Sequence, residues 1–298
     1  SNAKLLSKDV VTEFRGRGDE IHVYPLSFSE YMSAFEGDQY EGYEQYSIYG
    51  GLPYTLMFDN DSERSDYLKK LFEETYLNDI IERNKITNVE ELNELLNILS
   101  SQIGSLTNPF NLQNTFKSEK NITLSDKTIS KYLEYFEDAF LITKAQRYDV
   151  KGKKYINTPY KYYFEDIGLR NARLNFRQVD KGHIMENIIY NELLRRGYNV
   201  DVGVVEVNIT DENGIRTKPQ YEVDFICNQG SKRIYIQSAF EMNNQLKQNQ
   251  EKKSLVNIDD SFKKIIIVGD VSKPRMDEDG IITMGIYYFL LNEDSLNQ

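Results

Sequence analysis

Residues with special chemistry are scarce in this sequence of 298 residues. It has one cysteine (Cys227), two histidines (His22 and His183) and no tryptophan. A single cysteine cannot form an intramolecular disulfide, and two histidines far apart in the sequence supply few ligands for zinc. Both features are typical of the reducing cytoplasm, where we expect this protein. We interpret the 22 tyrosines and 15 phenylalanines as compositional bias.

Long apolar runs and an excess of positive charge are also missing. No run of about 18 apolar residues occurs, so we expect no membrane-spanning helix, and the first residues lack a signal-peptide pattern. The 36 Lys and Arg are outnumbered by 47 Asp and Glu, which gives a formal net charge of −11. This charge excludes a protein that coats nucleic acid with its whole surface, but it permits a local basic patch. The sequence contains no P-loop motif Gly-x4-Gly-Lys-Ser/Thr.

The length favours two domains over one, and the first residues predict part of an α/β unit. Residues 4–14 have helical apolar spacing, Arg15-Gly16-Arg17-Gly18 ends that helix, and residues 20–26 are typical of a strand. Ser27 then begins a predicted helix that leads into a Tyr-rich acidic loop, and Ser62 is the predicted cap of a helix that reaches Arg83. The first three residues, Ser1-Asn2-Ala3, are either an expression-tag scar or native sequence.

The middle of the chain has the order of a winged helix-turn-helix domain. Short helices precede a predicted helix over residues 126–139 that is capped by Ser125, and two predicted strands follow around the turn of residues 150–154. Between residues 117 and 161 there are ten Lys and Arg against six Asp and Glu, so this segment is positively charged although the whole chain is negatively charged. The predicted DNA contacts are Lys127, Ser130 and Lys131 on the capped helix and Lys151, Lys153 and Lys154 at the wing tip. The alternative is a solvated hairpin in a domain that binds protein.

The last part of the chain predicts a small α/β domain with a candidate metal site. A predicted helix carries Glu186, and two strands around the turn of residues 228–231 carry Asp224 and Gln237. Nucleases of the PD-(D/E)xK fold hold a divalent metal with residues in this order, and a lysine two positions further on orients water. Here the third ligand is an amide and the lysine position is Ala239. We therefore expect an inactive nuclease-like domain, with Mg²⁺ possible at Asp224, and keep an active nuclease as an alternative.

The chain as a whole resembles prokaryotic AAA+ (P-loop) ATPases that have a C-terminal DUF4143 domain. The matching segments follow the family order, and they are residues 4–17, 24–31, 50–53, 161–171, 185–187, 192–198, 222–225 and 235–237. The resemblance implies three parts: residues 1–49 as the end of an AAA+ core, 50–158 as a helical and winged-helix domain, and 159–298 as a restriction-endonuclease-like DUF4143 domain.

The same resemblance implies where nucleotide chemistry would lie. Arg15 or Arg17 takes the position of the arginine finger. The alternative is that both arginines are solvated at the C-terminal end of a helix, where the helix dipole favours cations. ATP, Mg²⁺ and a homo-oligomer built through the AAA+ core belong to the full-length protein, because Walker A and Walker B motifs would lie upstream. Three functions remain: a DNA-binding and regulatory module with an inactive nuclease-like domain, an active Mg²⁺-dependent nuclease, and a protein-interaction scaffold.

Overall fold

A computed structural model describes residues 21–120, 124–177, 180–210, 214 and 216–297. The chain divides into two compact units. Unit 1 comprises the described residues of the ranges Ser1–Lys144 and Tyr162–Val179, and unit 2 those of Ala145–Lys161 and Asp180–Gln298. The predicted helix over residues 4–14 lies outside the described residues. No described helix has the length and apolar character needed to cross a membrane.

Unit 1 is mainly helical. Its α-helices are Phe28–Ala34 (α1), Gln39–Tyr49 (α2), Asp61–Leu71 (α3), Asn78–Asn84 (α4), Val89–Ser101 (α5), Pro109–Thr115 (α6), Asp126–Asp138 (α7) and Ile167–Arg173 (α8). A π-helical segment, Phe72–Leu77, joins α3 to α4, another, Phe116–Lys120, follows α6, and a 3-10 helix covers Pro53–Met57. Ser125 caps α7 as predicted, because its hydroxyl accepts from the N–H of Thr128.

Three predictions for the beginning of unit 1 were wrong in detail. Residues 21–26 form no strand; instead the N–H of Leu26 donates to the carbonyl of Gly51. The Tyr-rich acidic segment is not a loop but helix α2, because the carboxylate of Asp38 accepts the N–H groups of Tyr40 and Glu41 and so starts the helix. The cap of α3 is Asn60 rather than Ser62.

A buried carboxylate organises the centre of unit 1. The side chain of Asp166 accepts from the N–H of Gly51 at 2.8 Å and from the N–H of Leu169, in the first turn of α8, at 3.0 Å. Burial raises the pKa of Asp166 to about 6, although these backbone donors lower it. Gly168 lies so close to the carbonyl of Tyr49 that a Cβ atom has no room there. Asp166 therefore fixes the Gly50-Gly51 turn against α8.

Two strands pass from unit 1 into unit 2 and back, and they are Ile142–Asp149 (β1) and Lys154–Phe164 (β2). The other strands of unit 2 are Asn199–Glu206 (β3), Ile209–Thr210 (β4), Arg216–Thr217 (β5), Gln220–Gln229 (β6), Lys232–Ala239 (β7), Lys263–Val268 (β8), Arg275–Met276 (β9) and Ile281–Gly285 (β10). Its α-helices are Lys181–Arg195 (α9), Gln245–Val256 (α10) and Ile286–Leu291 (α11), and a 3-10 helix, Glu293–Leu296, follows. The described chain is therefore a mixed α/β protein.

The described strands form a large mixed sheet in the order β2-β1-β3-β6-β7-β8-β10-β9, and β4 pairs with β5 separately. The predicted β6–β7 hairpin is present, and β8 is a buried strand that pairs in parallel with β7 and β10. Tyr235 and Leu255 belong to one apolar cluster, which places α10 on one face of the sheet. Phe225 contacts Tyr190 of α9, and because neighbouring strand residues alternate in direction, α9 covers the other face.

Candidate functional site

Two of the three predicted nuclease-like residues lie together in unit 2. Glu186 on α9 and Asp224 on β6 are both almost fully buried, and both carboxylates face the same point. Gln237 of β7 is not part of this group: its amide donates to Glu251 at 3.4 Å and accepts from Ser254 at 3.4 Å, both on α10. Asp224 instead accepts the N–H of Ser238 at 2.8 Å. The sheet thus separates Gln237 from the two carboxylates.

The point that the carboxylates face is occupied by a lysine that sequence reasoning did not select. The ammonium of Lys161, on β2, lies 2.8 Å from Glu186, 2.7 Å from Glu222 and 3.6 Å from Asp224. The Lys161 side chain is only 4% exposed. We call these four residues the lysine–carboxylate cluster. Since three carboxylates surround one ammonium, the cluster has an excess of negative charge.

The electrostatics keep the ammonium charged. Burial alone lowers the pKa of Lys161, but Glu186, Asp224 and Glu222 together raise it well above its usual range. Burial and then the neighbouring Glu186 raise the pKa of Asp224, while Lys161 lowers it. The raised pKa of Asp224 and the raised pKa of Lys161 are in conflict, because a protonated Asp224 attracts the Lys161 ammonium less. Lys161 stays charged, because the carboxylates of Glu186 and Glu222 lie within 3 Å of its ammonium.

A β-bulge in β6 accounts for the direction of Asp224. Asp201 and Gly203 of β3 pair with Ile226 and Val223, so two residue steps on β3 face three steps on β6. Asp224 lies within this irregularity. Bulges are common next to functional sites, since the extra residue turns a side chain towards a new direction. The regular alternation of side chains along a strand therefore does not predict on which face of the sheet Asp224 lies.

A divalent metal does not fit the lysine–carboxylate cluster as it stands. Mg²⁺ needs oxygen ligands at about 2.0–2.1 Å, and here the oxygens of Glu186 and Glu222 that face the shared point contact an ammonium instead. The amide of Gln237 is bonded to α10, and Ala239, at the expected lysine position, is buried in the apolar cluster beside α10. Within the described ranges, no group of three or more His, Cys, Asp and Glu side chains forms a metal site.

The predicted DNA-contacting residues are divided between the two units. Lys127 and Lys131 are exposed on α7 of unit 1, and the hydroxyl of Ser130 donates to the carbonyl of Asp126 at 2.9 Å, within the same helix. Lys151, Lys153 and Lys154 are exposed at the β1–β2 turn, which belongs to unit 2. Arg15 and Arg17, the predicted nucleotide contacts, lie outside the described residues.

A cleft in unit 2 brings two of the predicted wing-tip lysines together with residues that sequence reasoning missed. Its cavity volume is about 620 Å³, and its walls include Lys151 and Lys153 from the β1–β2 turn, Lys232 and Arg233 from the β6–β7 turn, and Phe262 before β8. We call it the basic cleft. One signal could have indicated Lys161, the lysine of the lysine–carboxylate cluster: it is a single charge between Tyr160 and the aromatic run of residues 162–164, and a buried charge needs partners. The cleft gave no signal, because its cations come from separate turns.

These features define a mixed α/β protein whose second unit carries a buried lysine surrounded by carboxylates. The chain belongs to the family of an uncharacterized protein of Haemophilus influenzae, to which it is 36% identical over 296 residues, covering 98% of this chain and 69% of that protein. It is also 31% identical over 265 residues to an uncharacterized protein of Methanocaldococcus jannaschii, covering 85% of this chain and 56% of that protein. No solved structure gives a significant match to the chain.

Two family models match consecutive parts of the chain. Residues 181–289 match the domain of unknown function DUF4143, which confirms that part of the predicted resemblance. Residues 40–180 match a different domain of unknown function, DUF8612. The AAA+ context and the winged helix therefore stay predictions. The boundary between the two matches falls at the beginning of α9, just before the helix that carries Glu186.

Proposed function

We propose that this protein is a DNA-binding and regulatory module whose nuclease-like unit holds DNA without cutting it. The observation that carries the proposal is the ammonium of Lys161, which lies among Glu186, Glu222 and Asp224 where a nuclease of this kind would hold its metal. A buried lysine with three nearby carboxylates is charged, and it competes directly with a divalent cation for the same oxygens.

The binding half of the proposal is supported by the distribution of cations. Lys151, Lys153 and Lys154 are exposed at one turn of a chain whose formal net charge is −11. Lysines at the tip of a β-ribbon are suited to contact phosphates, which position a protein on DNA. As a finer part of the proposal, α7 and the β1–β2 hairpin act as a winged helix, with Lys127, Ser130 and Lys131 on the recognition helix.

The test combines DNA binding and DNA cleavage by the same preparation. We expect a labelled duplex to bind with an affinity that falls as salt rises, and supercoiled plasmid to stay intact with Mg²⁺ or Mn²⁺. Changing Lys151, Lys153 and Lys154 to Glu should weaken binding by about 10-fold or more, since each charge reversal also removes a phosphate contact. The matched control changes Lys218, Lys247 and Lys273, three exposed lysines of the same unit, to Glu.

The results of these binding and cleavage assays distinguish the proposed function from its two alternatives. Plasmid cleavage by the wild type that disappears in Asp224→Asn would overturn the non-cleaving half and favour the active nuclease. Duplex binding that is absent, or that the two triple variants weaken equally, would overturn the DNA-binding half and favour a protein-interaction scaffold. Lys127→Glu with Lys131→Glu tests the winged helix, because loss of duplex binding there requires α7 to face the DNA.

The AAA+ part of the proposal concerns the full-length protein, and it is supported by the sequence resemblance. In it, ATP and Mg²⁺ bind upstream motifs, Arg15 or Arg17 acts as an arginine finger, and the AAA+ core forms a homo-oligomer. Reading the codons upstream of Lys4 for an in-frame P-loop tests this part directly. The present chain by itself should show no ATPase activity, because its sequence has no P-loop.

A further inference from the structure

We propose that the basic cleft of unit 2 binds an unpaired segment of nucleic acid, with phosphates on its lysines and a base against Phe262. This inference rests on the proposed function and specifies its ligand. The cleft is lined by the β1–β2 turn, by the β6–β7 turn and by the residues before β8. Its volume of about 620 Å³ lies inside the range of about 300–1,000 Å³ that is usual for ligand sites.

The charges of the cleft favour an anionic ligand. Lys151, Lys153, Lys232 and Arg233 line it, against the two carboxylates of Asp259 and Asp260. Among the described residues, none of these four cations forms an ion pair with a carboxylate: Lys232 donates to the amide of Asn297 and Arg233 to that of Asn228. A protein of net charge −11 has many carboxylates with which to pair its cations. Four cations left without them around one concave surface indicate a phosphate ligand.

The aromatic residues of the cleft favour nucleotides over free phosphate. The guanidinium of Arg233 contacts two rings: it lies 5.6 Å from the centre of the Tyr148 ring and 5.5 Å from the centre of the Phe262 ring. This packing fixes Arg233 at the cleft wall. Phe262 is nevertheless 42% exposed, so a ligand in the cleft can reach its side chain. An exposed ring that adjoins lysines can stack on a base while the lysines contact the backbone.

The shape of the site favours a single strand over a duplex. Bases in a duplex are stacked on one another, so their faces are not available to an aromatic side chain. Unpaired bases can turn outwards and stack on protein rings, and this is how single-stranded nucleic acids are usually held. A concave site with cations on two turns and a ring beside them matches that arrangement.

The experiment compares the full chain with two variants and one control. The probes are a fluorescein-labelled oligo(dT) strand, a labelled duplex of equal length, thymidine monophosphate and inorganic phosphate. The variants are Phe262→Ala and Lys232→Glu, and the control is Lys273→Glu, which makes the same charge change beyond the opposite end of β8. Circular dichroism checks that each variant keeps its fold, and Lys232→Gln replaces Lys232→Glu if the charge reversal impairs folding.

We expect oligo(dT) to bind more tightly than the duplex, and Phe262→Ala to weaken it by about 5-fold or more, as the loss of one base stack does. Lys232→Glu should weaken it and make the salt dependence shallower by about 0.7 per lost contact. Lys273→Glu should leave both unchanged. Thymidine monophosphate should displace oligo(dT) more readily than phosphate does.

The outcomes separate this inference from the proposed function. If Lys232→Glu and Phe262→Ala both leave oligo(dT) binding unchanged while the duplex still binds, the cleft site is overturned and the DNA-binding module stays intact. Loss on Lys232→Glu with no change on Phe262→Ala would overturn the base stack, because only charge would then hold the strand. If no nucleic acid binds under any salt condition, both proposals fail together. Equal displacement by thymidine monophosphate and phosphate would indicate a small anion site and overturn the nucleic-acid ligand.

Discussion

Asp166 in unit 1 and Asp224 in unit 2 are both buried, and their charges are balanced in different ways. Asp166 in unit 1 is 3% exposed and accepts backbone N–H groups from Gly51 and Leu169. Asp224 in unit 2 is 6% exposed and faces an ammonium, that of Lys161, and a second carboxylate, that of Glu186. Burial raises the pKa of both groups. The cost of burying the carboxylate is therefore offset by backbone dipoles alone in unit 1 and mainly by an ammonium, with one backbone N–H, that of Ser238, in unit 2.

This difference indicates that Asp166 has a structural role, whereas Asp224 belongs to a group with another role. The N–H groups that Asp166 accepts belong to the Gly50-Gly51 turn and to the first turn of α8, so Asp166 stabilises the packing of that turn against that helix. A group of four ionisable side chains from β2, α9 and β6 is a costly way to stabilise a fold, since replacing buried ion pairs by apolar residues is often neutral or stabilising. The lysine–carboxylate cluster is therefore the more informative feature for function, and the predictions that follow test this contrast.

The largest effect is expected when Lys161 is changed to Met, which keeps the length of the side chain and removes the charge. Three carboxylates then face one another in a buried site without a cation, and the free energy of unfolding should fall by about 3–5 kcal/mol. Urea denaturation followed by circular dichroism measures the change. Lys218→Met is the matched control, because its ammonium pairs with Glu206 at 3.6 Å at the exposed surface, and it should cost less than about 1 kcal/mol.

A loss of under 1 kcal/mol in Lys161→Met would contradict the difference between Asp166 and Asp224, since the carboxylates around Lys161 would then need no cation. The double variant Lys161→Met with Asp224→Asn provides a second reading if the single variant does not fold. It removes one of the uncompensated charges, so it should recover part of the lost stability.

The second effect is a pH dependence that comes from Asp166. Its pKa is raised to about 6 in the folded protein, so the folded state binds this proton more tightly than the unfolded state. The stability from that proton is complete below about pH 4 and is lost as pH rises through about 6, a change of about 3 kcal/mol. The free energy of unfolding should therefore fall over this window by about 3 kcal/mol more in the wild type than in Asp166→Asn, whose amide does not titrate. If the free energy of unfolding changes with pH in the same way in the wild type and in Asp166→Asn, the backbone donors cancel the effect of burial on the pKa of Asp166.

Much of the frame of unit 2 could be predicted, because its signals are local. The turn around Gly230 defines the β6–β7 hairpin, and the apolar run of β8 identifies a buried parallel strand. The proximity of Glu186 and Asp224 also followed from the order of the elements. Helix α2 was missed, since its tyrosines and glutamates gave no apolar periodicity, and only the cap at Asp38 marks its start.

The carboxylates that surround Lys161 could not be predicted as its partners, because they meet it through long-range strand pairing. Lys161 reaches Asp224 only through the position of β2 in the sheet, which no local pattern encodes. Gln237 was assigned to the wrong neighbours for a related reason: a bulge in β6 changes the face of Asp224, while Gln237 stays on the face of α10. A shift of one residue moves a side chain to the other face of a sheet. Side-chain direction is thus the part that required the structure.

A third, smaller effect tests the backbone side of the contrast. A Cβ atom at Gly168 would overlap the carbonyl of Tyr49, which is backbone and cannot rotate away. Gly168→Ala should therefore lower the free energy of unfolding by about 1–3 kcal/mol through overpacking. Gly182→Ala at the start of α9 is the control, since its nearest contact, with Asp180, is at an ordinary distance of 3.4 Å. If the two variants unfold at the same urea concentration, the turn that Asp166 holds is looser than its hydrogen bonds indicate.

The smallest effect is expected within the lysine–carboxylate cluster itself. Glu222 makes the shortest contact with Lys161, at 2.7 Å, yet its side chain is 33% exposed, against 11% for Glu186. Water therefore replaces much of what Glu222→Gln removes, and the excess negative charge of the cluster decreases. We expect a loss of only about 0–1 kcal/mol for Glu222→Gln and of about 1.5–3 kcal/mol for Glu186→Gln, both by urea denaturation. A larger loss for Glu222→Gln would mean that contact distance outweighs burial, and the cation would then be held mainly from β6 rather than from α9.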